Sequence, residues 1–290
     1  MERWPNFFIA GVPKAGTTSL YHYLKDIPGI YMSPEKEPNY FSVKTVPEDH
    51  PMIPIRNKKK YLDLFKNVKN EKIIGEATPD YLGDPDAPKL IHEVSPEAKI
   101  LISLRNPVQR LFSHYLMLKG VGRVKISFHE LIQKEIKHEY DYGKFRIPLE
   151  TSFYSNNVKR FINIFGKEQV KIIFFEDLIT EPNHVLSEIL KFLDINYSLA
   201  NFDAKQHNPS SIARGEISQK ILTNMRVRKL AKSGFIPNSI RGILRNKILM
   251  TKQTKQKMDD ADRYFLEKFY LDDVQELKKL LDTKIPWTGF

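Results

Sequence analysis

The 290-residue chain contains no cysteine, which excludes disulfides, thiolate nucleophiles and zinc–thiolate sites. It lacks any apolar run near the roughly 18 residues that a membrane span requires. The stretch Phe7-Phe8-Ile9-Ala10-Gly11, just after Met1-Glu2-Arg3-Trp4-Pro5, is too short for a signal-peptide core. A soluble, cytoplasmic protein is therefore expected. Its eight histidines show no His-x-x-x-His or comparable spacing, so no metal site is expected. One further absence is local: from Ile217 to Met258 there is no Asp or Glu.

Hydrophobic residues make up 41% of the chain and charged residues 28%, which excludes whole-chain disorder. Lys and Arg number 46 against 35 Asp and Glu, a net +11. Eleven basic residues lie in the acid-free stretch, so the remaining 35 basic and 35 acidic residues balance. The surplus charge belongs to one segment. Apolar residues recur there at Ile217, Ile221 and Met225, and again at Ile240, Ile243, Leu244 and Ile248. This spacing predicts two basic amphipathic helices, forming a lid-like segment over 217–258.

Apolar strands are predicted at Asn6 to Gly11, Lys72 to Gly75, Lys99 to Leu104 and Val170 to Phe175. Helices are predicted at Arg56 to Phe65, Ala87 to Val94, Pro107 to Leu118, Phe128 to Lys137, Tyr154 to Phe165, Pro182 to Leu193 and Asp259 to Leu281. Continuous apolar strands alternating with helices indicate a parallel sheet covered on both faces. With no convincing linker, the expected fold is α/β: a single P-loop-like domain over 1–290, its central parallel sheet flanked by helices on both faces.

Two strand-to-helix junctions carry chemistry. Gly11-Val12-Pro13-Lys14-Ala15-Gly16-Thr17-Thr18 has the Gly-x4-Gly frame of a phosphate loop, in which backbone N–H groups and a helix N-terminus cradle an anion. The nucleotide-triphosphatase pattern places Lys directly after the second Gly, followed by a magnesium-binding hydroxyl. Here Thr17 holds that place and the lysine is inside the loop at Lys14. That arrangement suits a phosphate or sulfate without a magnesium-held triphosphate. The second junction, Arg105-Asn106-Pro107 running to Arg110 and Ser113, also leaves an apolar strand. In a parallel sheet such strand ends gather on one edge, and Arg suits bidentate phosphate contact.

Together these motifs resemble the sulfotransferases that use 3′-phosphoadenosine 5′-phosphosulfate (PAPS), closest to the heparan-sulfate-type and related bacterial branch. Pro13 to Leu20 looks like the family's 5′-phosphosulfate loop, and Arg105-Asn-Pro-x-x-Arg-x-x-Ser113 like its 3′-phosphate motif. Lys36-Glu37-Pro38-Asn39-Tyr40-Phe41, Gly75-Glu76-Ala77-Thr78-Pro79-Asp80-Tyr81, Phe175-Glu176-Asp177-Leu178 and the closing Ile285-Pro286-Trp287 follow in family order.

The resemblance implies that Lys14 stabilises the leaving 5′-phosphate and that Ala15, Gly16, Thr17, Thr18 and Ser19 complete the cradle. It implies that Arg105 and Ser113 hold the 3′-phosphate, that Arg214 and Gly215 belong to a loop over the nucleotide, and that Glu37 is the general base. Lys36, Glu76, Asp80 and His114 are then expected in the acceptor cleft. A histidine base, His92 or His114, is the alternative to Glu37. Ala77 stands where some glycan enzymes carry Lys, so heparan-type acceptor specificity does not transfer with the motif. The missing cysteines and membrane anchor of Golgi relatives point to a bacterial enzyme. The implied acceptor is a hydroxyl, less readily an amine, of a carbohydrate or small natural product, with no nucleic-acid partner. Two other classes remain open at this point: a P-loop-like ATP-dependent kinase, and a non-catalytic basic protein that binds anions or glycans.

Overall fold

The structure is a computed structural model. It describes residues 2–44, 54–139, 149–200 and 256–290, the single positions 46, 202, 218 and 224, and the backbone of the strands Ser211–Ala213 and Met250–Lys252. The first strand, β1 (Phe7–Gly11), leads through a five-residue loop into helix α1 (Thr17–Lys25). Strand β2 (Ile30–Met32), helix α2 (Lys58–Leu62), strand β3 (Ile73–Ala77) and helix α3 (Ala87–Val94) follow. Next come β4 (Lys99–Leu104), α4 (Pro107–Gly120), α5 (Phe128–Ile136) and α6 (Ser155–Phe165). Strand β5 (Val170–Phe174) runs directly into α7 (Phe175–Thr180), followed by α8 (Pro182–Phe192) and a long terminal helix α9 (Asp260–Leu281).

The five strands pair in the order β2-β3-β1-β4-β5, and every pairing is parallel. The expected parallel sheet is therefore present. Short strand β2 and helix α7 add to the predicted elements; β2 has only three residues and α7 only six, too few to show a period. Strand residues alternate between two cores. Phe8, Ala10, Ile100 and Ile102 face one; Phe7, Ile9, Leu101 and Ile173 face the other. Phe7 through Ala10 are all 0% exposed, because a central strand covered on both sides has no solvent face.

A second, antiparallel ribbon pairs Ser211–Ala213 (β6) with Met250–Lys252 (β7). Met250–Lys252 lies inside the stretch expected to be helical and is strand instead, since its backbone pairs with residues about forty positions earlier. β6 packs beside α4. Most of the basic stretch, including the predicted helix positions Ile221 and Ile240 to Ile248, lies outside the described residues, as do Arg214 and Gly215.

Candidate functional site

Parallel pairing puts the carboxyl ends of all five strands on one edge, and the motifs sit there. The phosphate loop leaves β1, the Glu37 loop follows β2, Asp80 follows β3, Arg105 follows β4 and Glu176 follows β5. The chain passes to opposite sides of β1, which creates the kind of crevice where α/β sheets bind ligands.

The phosphate loop is held from β4. Val12 N donates to Ser103 O (2.7 Å) and Ala15 N to Val12 O (3.2 Å). Ser103 Oγ donates to Ala15 O (2.5 Å), and Arg105 Nη1 donates to Lys14 O (3.0 Å). The loop's carbonyls are thus drawn toward β4. Two residues take left-handed backbone, Lys14 (φ 77°) and Gly16 (φ 80°). A Cβ on Gly16 would come within 2.8 Å of Leu178 and 3.0 Å of Phe175, so glycine is required by both conformation and space. Helix α1 starts without a side-chain cap, and its first N–H groups have no intrahelical acceptor. An uncapped helix start joined to a glycine cradle fits a phosphate or sulfate group. Thr17 and Ser19 are buried in this first turn and Thr18 is half-buried. The Lys14 ammonium reaches Met117 Sδ on α4 (3.7 Å).

The Arg105 junction is built like a bracket. Asn106 Oδ1 caps α4 by accepting from Val108 N and Gln109 N (3.1 Å each), and Pro107 occupies the first helical turn, where its missing N–H costs nothing. Glu176 Oε1 accepts from Asn106 N (3.0 Å), and its Oε2 accepts from Trp287 Nε1 (3.0 Å). Tyr154 OH donates to Arg105 O (2.9 Å). The Arg105 guanidinium lies over the Phe175 ring, 4.5 Å from its centroid. Phe175 thus stacks on Arg105 itself, and Glu176 holds the backbone of the next residue, Asn106. Sequence grounds alone assign no site role to Glu176, Trp287 or Tyr154. The available signal is an acid directly after an apolar strand. Ser113 stands half-buried on α4, two turns beyond Asn106.

The β2–β3 side carries carboxylates. Glu37 N donates to Ala77 O (2.9 Å), fixing the loop to the end of β3. Glu37 (φ 59°) and Asn39 (φ 54°) are left-handed on either side of Pro38. This backbone costs on the order of 1–3 kcal/mol per residue, a kind of strain that clusters at functional sites. Buried Asn39 holds the turn through Nδ2 to Glu37 O (2.8 Å). The Arg56 guanidinium binds the carbonyls of Tyr40 (3.0 Å) and Ser42 (2.9 Å). Lys36 Nζ pairs with Glu37 Oε1, and the Glu37 side chain is 35% exposed. Burial, with the charge of Glu37 next in weight, pushes the Asp80 carboxyl up to about 7, while Lys36 opposes the rise. Glu37, Lys36 and Asp80 thus form one coupled cluster.

Glu76 does not join it. This residue, expected in the acceptor cleft, is 0% exposed. Its carboxylate accepts from Tyr61 OH (2.7 Å), Tyr81 OH (2.7 Å) and Thr78 Oγ1 (2.6 Å). Three hydroxyl donors compensate a buried carboxylate, so Glu76 is a core anchor under the aromatic cluster and not a cleft residue. His92 packs its ring on Phe165 (5.4 Å), at the end of α6 that leads into the start of β5. That is the sheet's opposite edge, so His92 is removed from the site. His114 lies on α4 beside Arg110. No group of three or more potential metal ligands occurs among the described residues, and none of their helices is long and apolar enough to cross a membrane.

The fold and this edge define an α/β protein of the phosphate-loop class. The chain belongs to the sulfotransferase family: the family's sulfotransferase-domain model matches residues 5–280. Carbohydrate sulfotransferase 15 of Rattus norvegicus is 26% identical over 245 residues, covering 66% of this chain and 44% of the relative. Bifunctional heparan sulfate N-deacetylase/N-sulfotransferase 3 of Homo sapiens is 27% identical over 292 residues, covering 97% of this chain and 30% of that protein. The chain thus spans less than half the length of these relatives. The crystal structure of a sulfotransferase from Alicyclobacillus acidocaldarius superposes over 98% of both chains, with a TM-score of 0.71 and 30% identity.

Proposed function

We propose that this chain transfers a sulfuryl group from PAPS to a hydroxyl, less readily an amine, of a carbohydrate or small natural product. The observation that carries the proposal is the division of charge along one sheet edge. An uncapped helix start with Lys14 and Arg105 stands on one side, and the Glu37–Asp80 cluster on the other.

When bound, PAPS would supply the sulfuryl group. Lys14 and the backbone of Ala15, Gly16, Thr17 and Thr18 would hold its 5′ end, with Ser19 beside them, and Arg105 and Ser113 its 3′-phosphate. Lys14 places positive charge where the 5′-phosphate oxygen keeps the electron pair of the broken S–O bond, charge positioned for the transition state. Glu37 takes the proton of the attacking hydroxyl. Lys36 and Asp80 set the electrostatics around that carboxylate. The reading includes a single domain over 1–290 to which the basic stretch 217–258 belongs, with Arg214 and Gly215 at its entry. It also includes a reducing, cytoplasmic setting, which suits the absence of cysteine.

Calorimetry tests this directly. Adenosine 3′,5′-bisphosphate (PAP) binds without magnesium and ATP binds poorly; magnesium-dependent ATP binding in preference to PAP would support a kinase instead. A screen of acceptors with labelled PAPS then identifies the substrate.

A further inference from the structure

Arg110 is the largest fully buried side chain among the described residues, 0% exposed. Its Nε donates to Ser152 Oγ (2.6 Å), which in turn donates to Pro107 O (3.1 Å). Its Nη1 lies 3.3 Å from His114 Nδ1, and its Nη2 has no hydrogen-bond partner among the described residues. No carboxylate is hydrogen-bonded to Arg110 there; Glu135 contributes only through space and accepts from Leu149 N instead.

A guanidinium has no acceptor and keeps its protons. His114 Nδ1 must therefore be the acceptor of this contact. In a neutral imidazole the remaining proton is then on Nε2. Burial above all, and then the charged groups that face His114, Arg110 one turn before it on α4 and Lys14 from the phosphate loop, hold its pKa well below the ordinary value. Lys14 lies along this same face of α4, reaching Met117 three residues beyond His114.

We propose that Arg110 locks His114 as a neutral Nε2–H imidazole, a fixed hydrogen-bond donor beside Lys14 to the anionic group being transferred, and not a base. This rests on the sulfotransfer reading. His114 keeps its proton throughout, and the acceptor's proton goes to Glu37. Because the imidazole is already neutral and fixed in one tautomer, it offers a directed N–H where charge shifts, without reorganisation.

Nitrogen-15 NMR of the histidine-labelled chain, with His114 assigned from its loss in His114→Gln, reads the tautomer without any ligand. The expected result is an unprotonated Nδ1 and a protonated Nε2 throughout the range in which an ordinary histidine titrates, since the lowered pKa keeps the ring neutral there. A His114 signal that titrates in that range, or an Nδ1–H tautomer, overturns the lock. Turnover gives the second test. His114→Ala is expected to lose roughly 10²-fold in kcat, the scale of one transition-state donor, with PAP affinity unchanged. His114→Gln, which folds around a neutral N–H donor of similar reach, is expected to recover about tenfold or more of that loss with the wild-type pH profile. If His114→Gln is as impaired as His114→Ala, or removes the acidic limb of the pH profile, the donor role is wrong. Failure of the unaltered chain to bind PAP would overturn the sulfotransfer reading and the donor role with it, while the NMR result would still decide the tautomer.

Discussion

The two halves of the sheet edge are built in opposite ways. On the β1–β4–β5 side the guanidinium groups hydrogen-bond to uncharged groups, and the Glu176 carboxylate there accepts from Asn106 N and Trp287 Nε1. Arg105 is bound to a loop carbonyl and stacked on Phe175, and Arg110 is bound to a serine hydroxyl. On the β2–β3 side the charges are mostly carboxylates, coupled to one another and to Lys36, on a loop with two left-handed residues around a proline. Among the described residues no carboxylate is hydrogen-bonded to the Arg105 guanidinium, which binds Lys14 O and so suits a ligand that brings its own negative charge. The second half has carboxylates able to take up a proton. On the proposed reading, separating the two keeps Glu37 from being neutralised by the cations that would hold the anion.

Substitutions on each side should separate these jobs. The largest effect is expected on the cationic side. Lys14→Ala should lower turnover with labelled PAPS by on the order of 10²–10³-fold. Retained sulfate transfer would sink the mechanism. On the carboxylate side, Glu37→Gln should reduce kcat by roughly 10²-fold or more while leaving PAP affinity intact by calorimetry; full turnover would remove Glu37 as the base.

Glu176→Ala tests whether the cationic half depends on its bracket. It leaves the Asn106 N–H and the Trp287 indole N–H without their acceptor. The expected cost is about 1–3 kcal/mol in urea unfolding, with PAP binding weakened severalfold and the acceptor KM unchanged. An unchanged PAP affinity would mean that Arg105 is held well enough by Phe175 and Tyr154.

The last effect is on stability alone and concerns the coupled carboxyls. The folded-state pKa of Asp80 is raised to about 7 from 3.8. Between those values the native state binds more protons at this site than the unfolded chain does. Stability from this group therefore falls as pH rises from about 4 through 7. Asp80→Asn should flatten that part of the curve, read by urea unfolding at about pH 5 and pH 8. An unchanged slope would show that Asp80 is not the perturbed group.

Much of this architecture is legible in the amino-acid sequence alone. The strands Lys99–Leu104 and Val170–Phe174 and the helix Ala87–Val94 follow directly from apolar runs and period, and the glycine frame and Lys14 mark the cradle. Glu76 is not legible in this way, because the motif that carries it gives only proximity to the site. Its burial under Tyr61 and Tyr81 depends on how α2 and the turn after β3 pack together. The Glu176 bracket escapes sequence reasoning because its partners lie 70 residues before it and 111 after it in the chain.

By itself the sequence determined the local devices: a parallel-sheet pattern, two strand-to-helix junctions with residues of the kind that suit an anion, and one acid-free basic segment. It could do so because dihedral preferences, caps and apolar period act within a few residues. Only the tertiary structure decided which charges meet. Strand order brings Glu37 beside Asp80, and helix packing sets Arg110 against Ser152 and buries Glu76. Protonation states follow from those long-range contacts, since desolvation and neighbouring charge arise from packing and not from sequence spacing.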